Sequence, residues 1–147
     1  MSQWTHENFD SMSWHDNHVH GLRPMAGEHG LGELELDLDY ILEWLAVAGD
    51  AFRFRIAPAR LRFRDVSDLR LAIDYVAASA AIGPFSIAGI ERRTERRERS
   101  QAVCWRIVAN FPPGEISFQA SGFTQQLTGR EVLVDRQWLR RLSPYID

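Results

Sequence analysis

The chain has 147 residues, 45% of them hydrophobic and 25% charged, which is the size and composition of one globular domain with a single core. It contains no apolar run approaching the ~20 residues of a membrane span, and its opening decapeptide lacks the basic and apolar regions of a secretory signal. A net charge of −3 with a pI of about 5.9 argues against nucleic-acid binding, and the single cysteine, Cys104, excludes an internal disulfide and points to a reducing, cytoplasmic compartment.

The charge is unevenly placed. Residues 1–50 carry ten acids and one arginine, residues 51–99 carry six acids and eleven arginines, and the remainder comes to +1, so the thirds are complementary to one another. All seventeen basic residues are arginine, which favours bidentate pairing with carboxylates.

Taken in chain order, residues 1–12 are polar and predict a flexible arm, with Trp4 as an anchor outside the folded domain of 13–147. The run Trp14-His15-Asp16-Asn17-His18-Val19-His20-Gly21 follows, and all five histidines of the chain fall within its first 29 residues. On a strand His18 and His20 share a face. Two readings are open. In one, His15, His18 and His20 ligate a divalent metal such as zinc and Asp16 orients a ligand or acts as base, as in a metal-dependent hydrolase. In the other, Asp16 and Asn17 turn the chain, a histidine donates to a backbone carbonyl at a sheet edge, and Trp14 plugs one end of the core. No His-Glu-x-x-His, no Cys-x-x-Cys and no second histidine cluster supports the first.

Gly27 to Gly32 reads as a flexible turn. Strict alternation then begins: Leu34, Leu36, Leu38, Tyr40, Leu42 and Trp44 against Glu33, Glu35, Asp37, Asp39 and Glu43 is a strand. After a turn at Ala48-Gly49-Asp50, Phe52, Phe54 and Ile56 alternate with Arg53 and Arg55, and Leu61 and Phe63 alternate with Arg60, Arg62 and Arg64. The apolar parity flips between these two runs, which predicts a bulge or break at Ala57-Pro58-Ala59. If the strands form a hairpin, the acidic and arginine rows share one face and neutralise each other, so neither is a cation site or a nucleic-acid track.

Leu69 to Tyr75 predicts another strand, and Ala77 to Pro84 a loop of small residues. Phe85–Ile90 and Val103–Ala109 read as strands joined across Glu91 to Arg99, a solvated hairpin tip of net charge +2 and the best candidate for docking an acidic partner. Pro112-Pro113-Gly114 is a turn signal before a strand at Ile116 to Ala120. The tail predicts a short helix capped by Asp135, carrying Trp138, Leu139 and Leu142 and stopped by Pro144. Frequent turns without a βαβ rhythm give a mainly β fold: an antiparallel sheet of about 6–8 strands, curled as a half-barrel or split as a sandwich, with a short C-terminal helix. Nucleophilic catalysis finds no support, since no Gly-x-Ser-x-Gly elbow exists and Cys104 sits between Val103 and Trp105.

Four stretches, Trp14-His15-Asp16-Asn17 with Gly21, GELELDLDYILEW (Gly32 to Trp44), IAPARLRF (Ile56 to Phe63) and GEISFQASGF (Gly114 to Phe123), resemble an uncharacterised family of small bacterial proteins. The opening aromatic-His-Asp element followed by alternating strands is also similar to immunity-type proteins of bacterial toxin systems, a resemblance that implies a protein blocking a partner's active site. The expected function is a non-enzymatic protein-binding module whose partner is another protein or a second copy in a homodimer, with Trp14, His15, Asp16 and Asn17 as its binding residues. The metal-dependent enzyme is the alternative.

Overall fold

A computed structural model describes residues 2–77 and 79–141. Nine strands build one antiparallel sheet: β1 (Gln3–Thr5), β2 (His18–Ala26), β3 (Gly32–Ala46), β4 (Phe52–Ile73), β5 (Phe85–Arg96), β6 (Gln101–Phe111), β7 (Pro113–Gln119), β8 (Gly122–Leu127) and β9 (Val132–Val134). The mainly β, antiparallel fold expected from the alternation is the fold that forms, and its curl runs the whole way round. β2 pairs with β3, β3 with β4, β4 with β7, β7 with β6, β6 with β5, and β5 returns to β2.

The returning seam is short. Only His18↔Ser86 and Val19↔Phe85 join β2 to β5. The element just before β2 extends it, with Asp16 donating from its backbone to the Ile87 carbonyl at 2.7 Å and Ile87 donating back to the Asn17 carbonyl at 2.9 Å. On the opposite wall the 22-residue β4 is matched along one edge by β7, β8 and β9 in succession. Asp65 and Asp68 are both in the left-handed region (φ 55° and 54°), Asp65 where β4 passes from β8 to β7 and Asp68 at the register shift within the β7 pairing; aspartate tolerates that region better than most residues.

Leu34, Leu36, Leu38 and Tyr40 of β3 point inward to meet Ala59, Leu61 and Phe63 of β4, Trp105 and Ile107 of β6, and Phe118 and Phe123. Aromatic rings dominate the centre, with Phe63 in edge contact with Phe118 (4.7 Å between centroids) and Trp105 (5.2 Å). Each such pair contributes roughly 0.5–1.5 kcal/mol beyond its burial.

On the outer face the acidic and arginine rows meet as the hairpin requires. Glu33 lies opposite Arg64, Glu35 opposite Arg62 and Asp37 opposite Arg60; beyond the irregularity in β3 after Ile41, Glu43 meets Arg55 on the other face. Glu35 is nearly buried and contacts Arg60 (2.9 Å), Arg62 (3.0 Å) and Arg23 (3.5 Å). Burial alone would raise its carboxyl; the hydrogen bond from Arg62 and the charges of Arg60, Arg62 and Arg23 outweigh burial and hold it below the usual range.

Four local expectations are corrected. β4 runs unbroken through Ala57-Pro58-Ala59, and the parity flip reflects a change of face rather than an inserted residue. Phe54 and Ile56 lie on the outer side, in a second apolar cluster with Ile41 that Val134 and Leu139 cover, whereas Ala59, Leu61 and Phe63 lie inside. The bulge sits instead in β3, between Ile41 and Glu43. Pro58 is accommodated because its ladder is already interrupted between β8 and β9, where its carbonyl accepts from Thr128 at 2.8 Å and the missing N–H has no strand residue to meet.

The arm is not loose. β1 pairs with β8, residues His6–Ser11 form a 3-10 turn, and Trp4 packs on Tyr40 at 5.1 Å while Phe9 packs on Trp105 at 5.4 Å. The tail from Asp135 to Arg141 is not helical but runs over the outer face to Asp39 as an irregular, bent strap; Leu142 and Pro144 lie outside the described residues. Glu91 to Arg96 belongs to the arm of the β5–β6 hairpin rather than its tip.

Candidate functional site

The Trp-His-Asp-Asn element is mostly interior. Trp14 is 3% exposed and donates its indole N–H to the Gln125 side chain at 2.7 Å. Asn17 is fully buried, and its Oδ1 accepts from the Ile41 backbone N–H at 3.4 Å. Asp16 takes a left-handed turn (φ 63°), and its carboxylate accepts from Asn110 (3.1 Å) and Gln137 (2.9 Å). His15 faces outward, with Nδ1 donating to the Ala88 carbonyl at 3.1 Å on the free edge of β5, its ring stacked on Trp44. Each feature of the structural reading, a turn at Asp16-Asn17, a histidine on an edge carbonyl and a tryptophan plug, is present in this geometry.

The register of β2 shifts between Val19 and Gly21, so regular alternation does not carry through His20; His18 and His20 nonetheless both meet the strap or its partner Asp39. His20 Nε2 donates to Asp39 at 2.6 Å. Asp39, with no exposed surface, also accepts from the Leu139 backbone N–H (2.8 Å) and from Arg141 Nε (3.1 Å) and Nη2 (2.8 Å). Arg141 reaches Asp37 as well, at 3.1 Å. Burial opposes the charge on Asp39, but the bonds from His20, Leu139 and Arg141 outweigh burial and hold its carboxyl below the ordinary 3.8. His18 packs against Trp138; burial pushes its imidazole down from the ordinary 6.5, against the opposing pull of Asp16 and Asp39.

The three candidate ligands are therefore engaged separately: His15 by Trp44 and Ala88, His18 by Trp138, His20 by Asp39. Among the described residues no three His, Cys, Asp or Glu side chains converge as a metal would require.

Beside His15 lies a surface that local spacing does not reveal. Trp44 from β3, Phe52 and Phe54 from β4 and the strap residues Asp135 to Trp138 line a groove of about 500 Å³. Trp44 packs edge-on against Phe54 (4.9 Å) and Phe52 (6.0 Å), and the Arg136 guanidinium stands over the Trp138 ring at 4.9 Å. Trp44, Phe52 and Trp138 are 41%, 47% and 43% exposed. The rings are held by their neighbours yet remain open to solvent, and the rim is polar.

No protein-family model matches the chain, and no curated protein or solved structure is significantly similar to it. Function must therefore be argued from the site. Of the four residues expected to bind, Trp14 and Asn17 are enclosed, while His15 and Asp16 border the strap and the groove. The signal that sequence reading missed is the outward parity of Phe52, Phe54 and Ile56, apolar residues on a face where arginines continue the strand. It marks a surface covered or used by something else.

Proposed function

We propose that the protein is a non-enzymatic interaction module that contacts another protein through the aromatic groove of Trp44, Phe52 and Trp138. The observation that carries this reading is three large aromatic side chains left more than two-fifths exposed around one groove, with an arginine at its rim. Tryptophan and arginine are the residue types that most often dominate interface energies, and preorganised rings lose little entropy on binding. An apolar patch with a polar rim on a small domain marks such a site more often than it marks chance exposure. The resemblance of the opening segment to immunity-type proteins supports the same class of function. The Trp-His-Asp-Asn element then acts as scaffold: it closes the barrel seam and supports Trp44 through His15.

The test is site-specific photo-cross-linking in cells, with benzoylphenylalanine replacing Phe52 or Trp138 and, as control, Arg93 on the outer face of the β5–β6 hairpin. Adducts from 52 and 138 but not from 93 are expected. Adducts from 93 alone would overturn the assignment of the surface.

A further inference from the structure

We infer that the occupant of the groove is a second copy of this chain, the two grooves facing each other across a two-fold axis. This rests on reading the groove as an interface and names its partner. A two-fold contact requires a surface complementary to itself, because each residue pair occurs twice with the roles exchanged. The wall of this groove has that property at its centre. Asp135 and Arg136 are adjacent in sequence and both line it, and among the described residues neither takes part in an ion pair.

Charges nearby divide into paired and unpaired ones, and among the described residues Asp135 and Arg136, like Asp50 and Arg53, belong to the second kind. Glu43 pairs with Arg55, Asp37 and Asp39 pair with Arg141, and Glu35 is held by three arginines. Arg136 is also oriented: its Nε–H donates to the Trp138 carbonyl at 3.2 Å and its plane lies over the Trp138 ring. Two copies related by a two-fold axis set Arg136 of one against Asp135 of the other, twice and close to the axis because the two residues are adjacent, and bring the exposed faces of Trp44, Phe52 and Trp138 together on either side of the charge pairs.

Sedimentation equilibrium over a range of concentrations tests this with the full chain. The wild type should reach twice the 16.9 kDa chain mass, and Phe52→Asp should sediment as a single chain. Asp135→Arg and Arg136→Asp should each weaken association by about tenfold or more, since each sets like charges together across the axis, and the combined Asp135→Arg/Arg136→Asp protein should recover most of the loss. All three charge variants alter exposed or half-exposed positions, and circular dichroism checks that they fold. A wild type of single-chain mass throughout, or a double reversal no better than the single ones, overturns the proposal. If the wild type is a single chain while cross-links from position 52 capture a different protein, the second copy is excluded and the groove stands as an interface; if position 52 yields no adduct of any kind, both readings fall.

Discussion

Asp39→Asn removes one charge while keeping the shape of the side chain. In the wild type this fully enclosed carboxylate accepts four hydrogen bonds, from His20 at 2.6 Å, from the Leu139 N–H at 2.8 Å, and from Arg141 at 3.1 and 2.8 Å. An amide offers one acceptor oxygen in place of two and turns an NH2 group toward donors, so at least one charge-assisted bond is lost, worth roughly 1.5–3 kcal/mol. The full penalty of a broken buried ion pair, roughly 3–5 kcal/mol, is not reached, because Arg141 is partly exposed and keeps Asp37 and the Leu38 carbonyl. The expected loss is about 2–3 kcal/mol, or a fall in Tm of about 5–10 °C for a domain of this length. Guanidinium unfolding followed by tryptophan fluorescence and circular dichroism gives the number directly, and a change under about 0.5 kcal/mol would refute the assigned role.

The pH dependence supplies an independent check. The folded carboxyl lies below its ordinary 3.8, so its stabilisation is complete above the unfolded value and disappears as pH falls through the folded one. The gap between wild type and variant should therefore be constant above about pH 5 and should close in more acidic solution. A gap that persists undiminished at low pH would mean that the carboxylate charge is not what Arg141 and His20 recognise.

Trp14→Phe leaves the buried Gln125 oxygen without its donor and should cost about 1–3 kcal/mol, with Gln125→Leu in the same chain recovering a large part; strictly additive losses would argue against the bond. Gly114→Ala should be among the most damaging small changes, about 3 kcal/mol or more, because the new methyl would press on the Ala72 carbonyl and lie 2.7 Å from the Ile73 Cα where β7 meets β4; a normal Tm and soluble yield would contradict that packing. Elemental analysis of untagged protein should find no stoichiometric zinc, iron, manganese or nickel, and none of these should raise Tm. Stoichiometric metal lost on His15→Ala would restore the metal-dependent alternative.

Much of the barrel is written in period-two alternation. Leu34 to Tyr40 and Leu61 to Phe63 reveal the inner face, and the complementary rows Glu33 to Asp39 and Arg60 to Arg64 give the pairing of β3 with β4. What local patterns cannot give is which second surface covers an outward face. Phe54 and Ile56 look like a register slip because their cover, Val134 and Leu139, lies some eighty residues further along the chain. Asp135, Trp138 and Leu139 have helical spacing, but this segment is fixed by Asp16 and Asp39 at sequence separations of 100 and more, which override a weak local preference. The polar composition of residues 1–12 hides Trp4 and Phe9, two rings large enough to seal the barrel end. The groove is invisible for the same reason, since Trp44, Phe52 and Trp138 converge only after the strap has crossed the sheet.

The five tryptophans make the central claim directly measurable, because they divide by environment: Trp14 and Trp105 are buried in the core, Trp4 is half-buried, and Trp44 and Trp138 are exposed in the groove. Indole N–H resonances of tryptophan-labelled protein, recorded from dilute to concentrated solution, should shift or broaden for Trp44 and Trp138 while those of Trp14 and Trp105 hold still. Five unchanged resonances, or movement confined to tryptophans outside the groove, would contradict pairing of two copies through the groove.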